Sequence, residues 1–195
     1  WLFHPVIFYP LVAALALGVI LFSLKPQMRP RIPAPVAGLI AEDGALVLEG
    51  RAFNSPTRPP EQYVTVVRDF WGRPQSLRLA VLPGLPLPRP EETGVEIQLV
   101  PESSRLISGR RLTVEISYRP LPVNAAPMLA VSLQGTGPAR WVRREIPPLS
   151  GIARFDLPAS RNVEGLGLRA ISNDASMAFG VEITSIRLVP GQAAD

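Results

Sequence analysis

The chain contains no cysteine and a single histidine. Without cysteine there is no disulfide framework, no thiolate nucleophile and no cysteine-ligated metal. The one histidine, His4, lies in the opening apolar run, so a Ser–His–Asp triad or a histidine metal site elsewhere in the chain is excluded. Lysine is almost missing as well. Lys25 is the only one, and arginine carries the rest of a net charge of +4. Those arginines are scattered through strand-like segments and not clustered with aromatics, which make up only 7 % of the chain. A nucleic-acid binder concentrates both, so nucleic acid is not an expected partner. No glycine-rich loop follows a strand to open a helix, and no D-x-D loop offers calcium ligands. Carboxylates could in principle pair for glycoside hydrolysis. Glu96, Glu115 and Glu182, however, stand at outward positions of strands and read as solvated faces. The chain is expected to be non-catalytic, with no cofactor and no metal.

What the sequence has in excess is one apolar run and proline. From Leu2 to Leu24 there is no charged residue, and a bilayer core needs ~20 apolar residues in a helix. A secretory leader would need a small-residue cleavage site soon after the run, and LKPQMRPRIP has none. A buried core helix would show a polar face, and this one shows none. The reading is a single-pass transmembrane helix over residues 1–24. Trp1 and His4 at one end, and Lys25, Arg29 and Arg31 at the other, are placed to meet lipid headgroups. Pro10 is expected to kink the helix, and Ala14 and Gly18, four apart, would let a second membrane helix approach closely. The charges after the run favour a cytoplasmic domain if read alone. The chain opens on Trp1 and not Met, so upstream residues are expected to bear on orientation. The expected placement is a bacterial inner membrane with the domain on the periplasmic side.

Proline accounts for 23 of 195 residues, which excludes long soluble helices. Residues 25–36, KPQMRPRIPAPV, read as an extended spacer. A second run, PGLPLPRP at 83–90, reads as a connection between strands, or else as a polyproline ligand for a partner. The domain is expected over 37–190, with a tail at 191–195. Within it, GVEIQLV points Val95, Ile97 and Leu99 inward, and RRLTVEISYRP does the same with Leu112, Val114, Ile116 and Tyr118. Such period-two alternation with Gly, Pro and Asn punctuation predicts an all-β, antiparallel β-sandwich with one wet face per sheet. In the last strand Val181 and Ile183 share one parity, Ile186 and Leu188 the other. The phase slips at Thr184–Ser185, where a one-residue bulge would keep all four inside.

RDFWGRPQ, residues 68–75, is the most distinctive stretch after the anchor. Trp71 beside Gly72 and Pro74 reads as a turn carrying a large aromatic. It either folds over the end of the sandwich as a lid or stands out as a contact for a partner or a glycan, with Arg73 beside it and Tyr63 as a platform-mate. Trp141, in ARWVRREI, is expected to pack.

RRLTVEISYRPLP, MLAVSLQG, GIARFDLP, GLGLRAIS and GVEITSIRLVP follow one another in an order that resembles the second half of jelly-roll carbohydrate-binding modules, the galactose-binding-like β-sandwich. The resemblance covers about residues 110–190 and is a pattern of strands. It implies a jelly-roll fold used for binding or as structure, with sugar held by exposed aromatics and polar loop residues. Two functions follow as expectations. The first is an accessory or structural subunit of a larger bacterial membrane complex (photosynthetic, respiratory, secretion or export). Its helix would dock on other integral membrane subunits in the lipid bilayer. The second is a membrane-tethered carbohydrate-binding module whose partner is envelope polysaccharide.

Overall fold

The structure, a computed structural model, describes residues 4–24, 32–83, 94–136, 138–174 and 176–193. Trp1, Lys25, Arg29, Arg31 and the 84–90 portion of the second proline run lie outside the described residues. Two compact units divide the chain, Trp1–Ile32 and Pro33–Asp195.

In the first unit, α1 runs Pro5–Leu24, 20 residues without a charge. It continues across Pro10. The carbonyl of His4 accepts from the amides of Ile7 (2.8 Å) and Phe8 (2.9 Å) and so closes the first turn. Side chains are described for residues 5–21 and Ser23, and over the described residues alone no helix is long and apolar enough to cross a membrane. The full helix adds Phe22 and Leu24, both apolar by sequence, and at 1.5 Å per residue reaches ~30 Å.

The second unit is mostly strand. Among the described residues the strands form two sheets, one of seven strands and one of four, and every pair of named strands is antiparallel. The larger sheet is organised by β11 (Phe179–Ala193). One edge of β11 pairs with β6 (Arg110–Pro120), and β6 pairs in turn with β9 (Gly151–Leu157). The other edge is shared. Its first half pairs with β4 (Pro74–Val81), backed by β3 (Gln62–Arg68). Its second half pairs with β2 (Leu46–Glu49), backed by the short β1 (Leu39–Ile40). The smaller sheet runs β5 (Val95–Gln98), β10 (Gly165–Ile171), β7 (Met128–Gln134), β8 (Val142–Glu145). The inward residues of both sheets meet in one apolar core.

The phase slip foreseen in the last strand is a bulge. Ile183 pairs with Tyr118 and Ser185 with Ser117, which leaves Thr184 as the extra residue. Val181, Ile183, Ile186 and Leu188 are all 0 % exposed.

Three features differ from the alternation pattern. Residues 101–107, to which the pattern assigns no element, form the short helix α2 (Pro101–Ile107). Proline at the first helical position and Glu102 in the first turn both suit a helix start, and Ile107 is buried by it. A 3₁₀ turn at Gly50–Phe53 drives Phe53 into the core. The compact unit also begins before the expected Ala37. The amide of Val36 donates to the carbonyl of Gln98 (2.8 Å), and that of Val100 donates back to Val36 (3.0 Å), beside β5. At the other end β11 continues to Ala193, past the expected boundary at 190.

The outer face of the larger sheet is polar and ion-paired. Arg187 bridges Asp43 and Glu115, Arg154 also binds Glu115 (2.9 Å), and Arg78 binds Glu182 (2.8 Å). Burial pushes the Glu182 carboxyl up, but hydrogen bonds from Arg78 and Ser76 outweigh it and leave the pKa below its ordinary value. Exposed pairs of this kind contribute ~0–1 kcal/mol each, so the core and not this face carries stability.

One buried polar contact joins the sheets. Two residues past the last described pair of β10 with β5, Leu168↔Val95, the backbone of Ala170 is met by the side-chain amide of Gln62. Gln62 Nε2 donates to the Ala170 carbonyl (3.0 Å), and the Ala170 amide donates to Gln62 Oε1 (3.2 Å). Leucine at position 62 would keep the volume and strip both bonds from a buried peptide group. Gln62→Leu is therefore expected to lower unfolding stability by ~1–3 kcal/mol, read as a fall in the urea midpoint at unchanged slope.

Candidate functional site

The β3–β4 hairpin presents the residues that the sequence marks out. Its tip is a rigid turn built by Asp69. Asp69 Oδ1 accepts from the amides of Trp71 (2.9 Å) and Arg73 (2.8 Å). Its backbone amide donates to the Arg73 carbonyl and its carbonyl accepts from the Gly72 amide, both at 2.9 Å. Gly72 closes the turn at φ +76°, a left-handed conformation that favours glycine. Behind the tip, the Arg68 guanidinium donates to the Gly72 carbonyl (3.0 Å) and to Asn54 Oδ1 (3.1 Å), tying the hairpin to the loop after the 3₁₀ turn.

This scaffold leaves two aromatics in the open. Phe70 is 93 % and Trp71 77 % exposed. Their rings meet edge to face, with centroids 5.3 Å apart and planes at 83°. Trp71 is thus no lid over the core. Arg73 is exposed beside it. Phe70, which sequence reasoning passed over, is the more exposed of the pair. Its signal was there to be read, because in a tight turn between two strands both central side chains point away from the sheet.

Tyr63 does not join them. It is exposed, but it sits at the far end of β3, opposite Ala80. Six residues of strand put it about 20 Å from the tip. The expected Trp71–Tyr63 platform therefore does not exist, because one hairpin holds the two rings at opposite ends. Crossed rings of Phe70 and Trp71 do not make a flat sugar-stacking surface either. They make a projecting wedge on a turn whose backbone Asp69 holds. Trp141 packs as expected, lying against the backbone at Gly94, where a Cβ would come 2.6 Å from its ring.

On α1, the apolar side chains of residues 6–9, 11, 12, 15, 17 and 19–21 are exposed. Gly18 has nothing near the place a Cβ would take. Pro10 and Ala14 lie on the same helix.

Among the described residues no group of His, Cys, Asp or Glu could hold a metal ion. Glu115 and Glu182 are engaged by arginines, as above. Glu96 is different. Burial pushes its carboxyl up, and the nearby charge of Glu164 adds to that. Its folded-state pKa is raised, so its contribution to stability is fully present below the ordinary value of 4.5 and lost as pH rises through the raised value.

No family model matches this chain, and no curated protein matches it. Among solved structures it is similar to one described as BiXyn10A CBM1 in the apo form, at 8 % identity and a TM-score of 0.46, over 75 % of this chain and 96 % of that one. It is also similar to the N-terminal CBM22-1–CBM22-2 tandem domain of Xyn10C from Paenibacillus barcinonensis, at 14 % identity and a TM-score of 0.44, over 83 % of this chain and 48 % of that one. Both are carbohydrate-binding modules. At these scores neither likeness bears on ligand or activity, and the two-sheet sandwich stands on its own strand order and register.

Two outcomes are expected of variants here. Asp69→Ala should loosen the tip with little effect on global stability, about 1 kcal/mol or less; faster hydrogen exchange at the Trp71 and Arg73 amides is the readout. Glu96→Gln should raise the urea midpoint at pH 7 and change it less at pH 4, where the native carboxyl is already largely protonated.

Proposed function

We propose that the chain is a non-catalytic, single-pass accessory subunit of a larger bacterial membrane protein complex. In this reading α1 lies among the integral subunits, and the β-sandwich stands on the extracytoplasmic side. The observation that carries it is α1. A helix of 20 residues without a charge, apolar on all its faces, is not stable in water and matches the ~30 Å of a bilayer core. Ala14 and Gly18 supply a small-residue strip against which another helix would pack. The Phe70–Trp71 wedge with Arg73 supplies a preformed contact for a subunit outside the bilayer, since aromatic and arginine anchors dominate such interfaces.

The test is a gentle-detergent purification of the tagged protein from native membranes. A fixed stoichiometric set of integral membrane proteins is expected to accompany it, and Gly18→Leu should release that set. A chain that purifies alone in mild detergent would sink the proposal. For orientation, a reporter fused after Asp195 is expected to be active only outside the cytoplasm, and cytoplasmic activity would reverse the placement.

A membrane-tethered carbohydrate-binding module is the second reading. The exposed Trp71 favours it, since one open ring face can stack on a sugar. Trp71→Ala would then abolish binding to an envelope polysaccharide, whereas in the first reading it would weaken only the association with protein subunits.

A further inference from the structure

Beside the ends of β7 and β9, two connections enclose a cleft of about 290 Å³. One is the β7–β8 connection, which contributes Thr136, Pro138 and Arg140. The other follows β9 and contributes Pro158, Ser160 and Arg161. The ends of β7 and β9 supply an apolar floor through Leu133 and Leu157.

The walls are braced against each other. The Gly135 backbone lies so close to the Asn162 carbonyl that a Cβ there would collide with it. Asn162 Nδ2 donates to Thr136 Oγ1 (3.0 Å), and the Glu164 amide donates to the Gln134 carbonyl (2.7 Å). The Gly109 amide holds the Ser160 carbonyl at 2.7 Å. The cleft is therefore built in advance of any ligand.

Its chemistry is one-sided. No acidic residue lines it, and among the described residues neither Arg140 nor Arg161 has an ion pair. Arginine left without a carboxylate beside a cleft is well suited to take one from a ligand, because its planar fork matches a carboxylate with two parallel bonds. The hydroxyls of Thr136 and Ser160 suit neutral polar groups. The apolar floor suits the CH face of a ring. The volume is near the lower end of ligand sites, about 300 Å³, and so fits one ring and not an extended apolar molecule. We propose that this cleft binds a carboxylate-bearing sugar, a hexuronate unit of an acidic saccharide. The site is independent of both α1 and the hairpin wedge.

The test is calorimetric titration of the full chain, held in a sugar-free detergent, with trigalacturonate and with neutral galactotriose. Trigalacturonate is expected to bind about tenfold or more tightly than the neutral trisaccharide, and high salt should weaken it because both guanidinia are exposed. Arg140→Gln and Arg161→Gln should each weaken it by about tenfold or more, as loss of a charge-assisted pair implies. Arg154→Gln, on the outer face of the larger sheet, should leave it unchanged. Both cleft arginines are at the surface, so unchanged thermal unfolding of the variants is expected to accompany the loss. No binding of trigalacturonate, equal binding of the neutral trisaccharide, or full binding by both variants would overturn the proposal. Displacement by equimolar inorganic phosphate would also overturn it, since the site would then recognise charge alone. None of these outcomes depends on whether the protein co-purifies with membrane subunits.

Discussion

The sandwich depends on β11 and on the one extra residue within it. This strand has β6 along one edge and both β4 and β2 along the other, so it joins every part of the larger sheet. Side chains in a strand alternate strictly, and a slip of one residue turns each of them over. Without the bulge at Thr184, Ile186 and Leu188 would face water while Val181 and Ile183 stayed inside. Each exposed side chain would forfeit about 1.5–3 kcal/mol of burial. The bulge lets one strand serve two partners along the same edge and still keep a single core face.

That arrangement also sets what the two faces can do. The outer face of the larger sheet is occupied by Arg187, Glu115, Arg154, Arg78 and Glu182, which satisfy one another. Arg119 and Ile152 are also exposed on this face, outside those ion pairs. Both candidate sites lie where connections leave the sheets. The hairpin tip offers two aromatics on a turn locked by Asp69. The cleft beyond β7 and β9 offers two guanidinia over an apolar floor. The first is the contact proposed for a partner subunit, the second the site proposed for a hexuronate.

Much of the strand pattern was legible from local rules. The alternation in GVEIQLV and RRLTVEISYRP, and the phase slip before Ile186, follow from the two-residue period of a strand and need no knowledge of neighbours. Trp71 beside Gly72 marked a turn for a similar reason. Other features were silent. Pro101–Ile107 is short enough that its apolar positions fit neither period well, and only its start signals hinted at a helix. Nothing in the local sequence marks Gln62. Its role appears only because the chain brings it to the backbone of Ala170, two residues beyond the last described pair of β10 with β5. Tyr63 was expected as a platform-mate of Trp71, but a strand between them is a rod of about 20 Å.

What the sequence by itself determined is the set of properties that act over a few residues or over none. These are the apolar helix without a charge, the missing cysteine and the lone His4, the alternation that makes strands, and the slip that makes a bulge. What only the tertiary structure decided is which connections lie beside each other. Arg140 and Arg161 share a cleft because β7 and β9 end at the same edge of the sandwich, although one belongs to each sheet. Strand order is set by the packing of the whole core, and no local period encodes it.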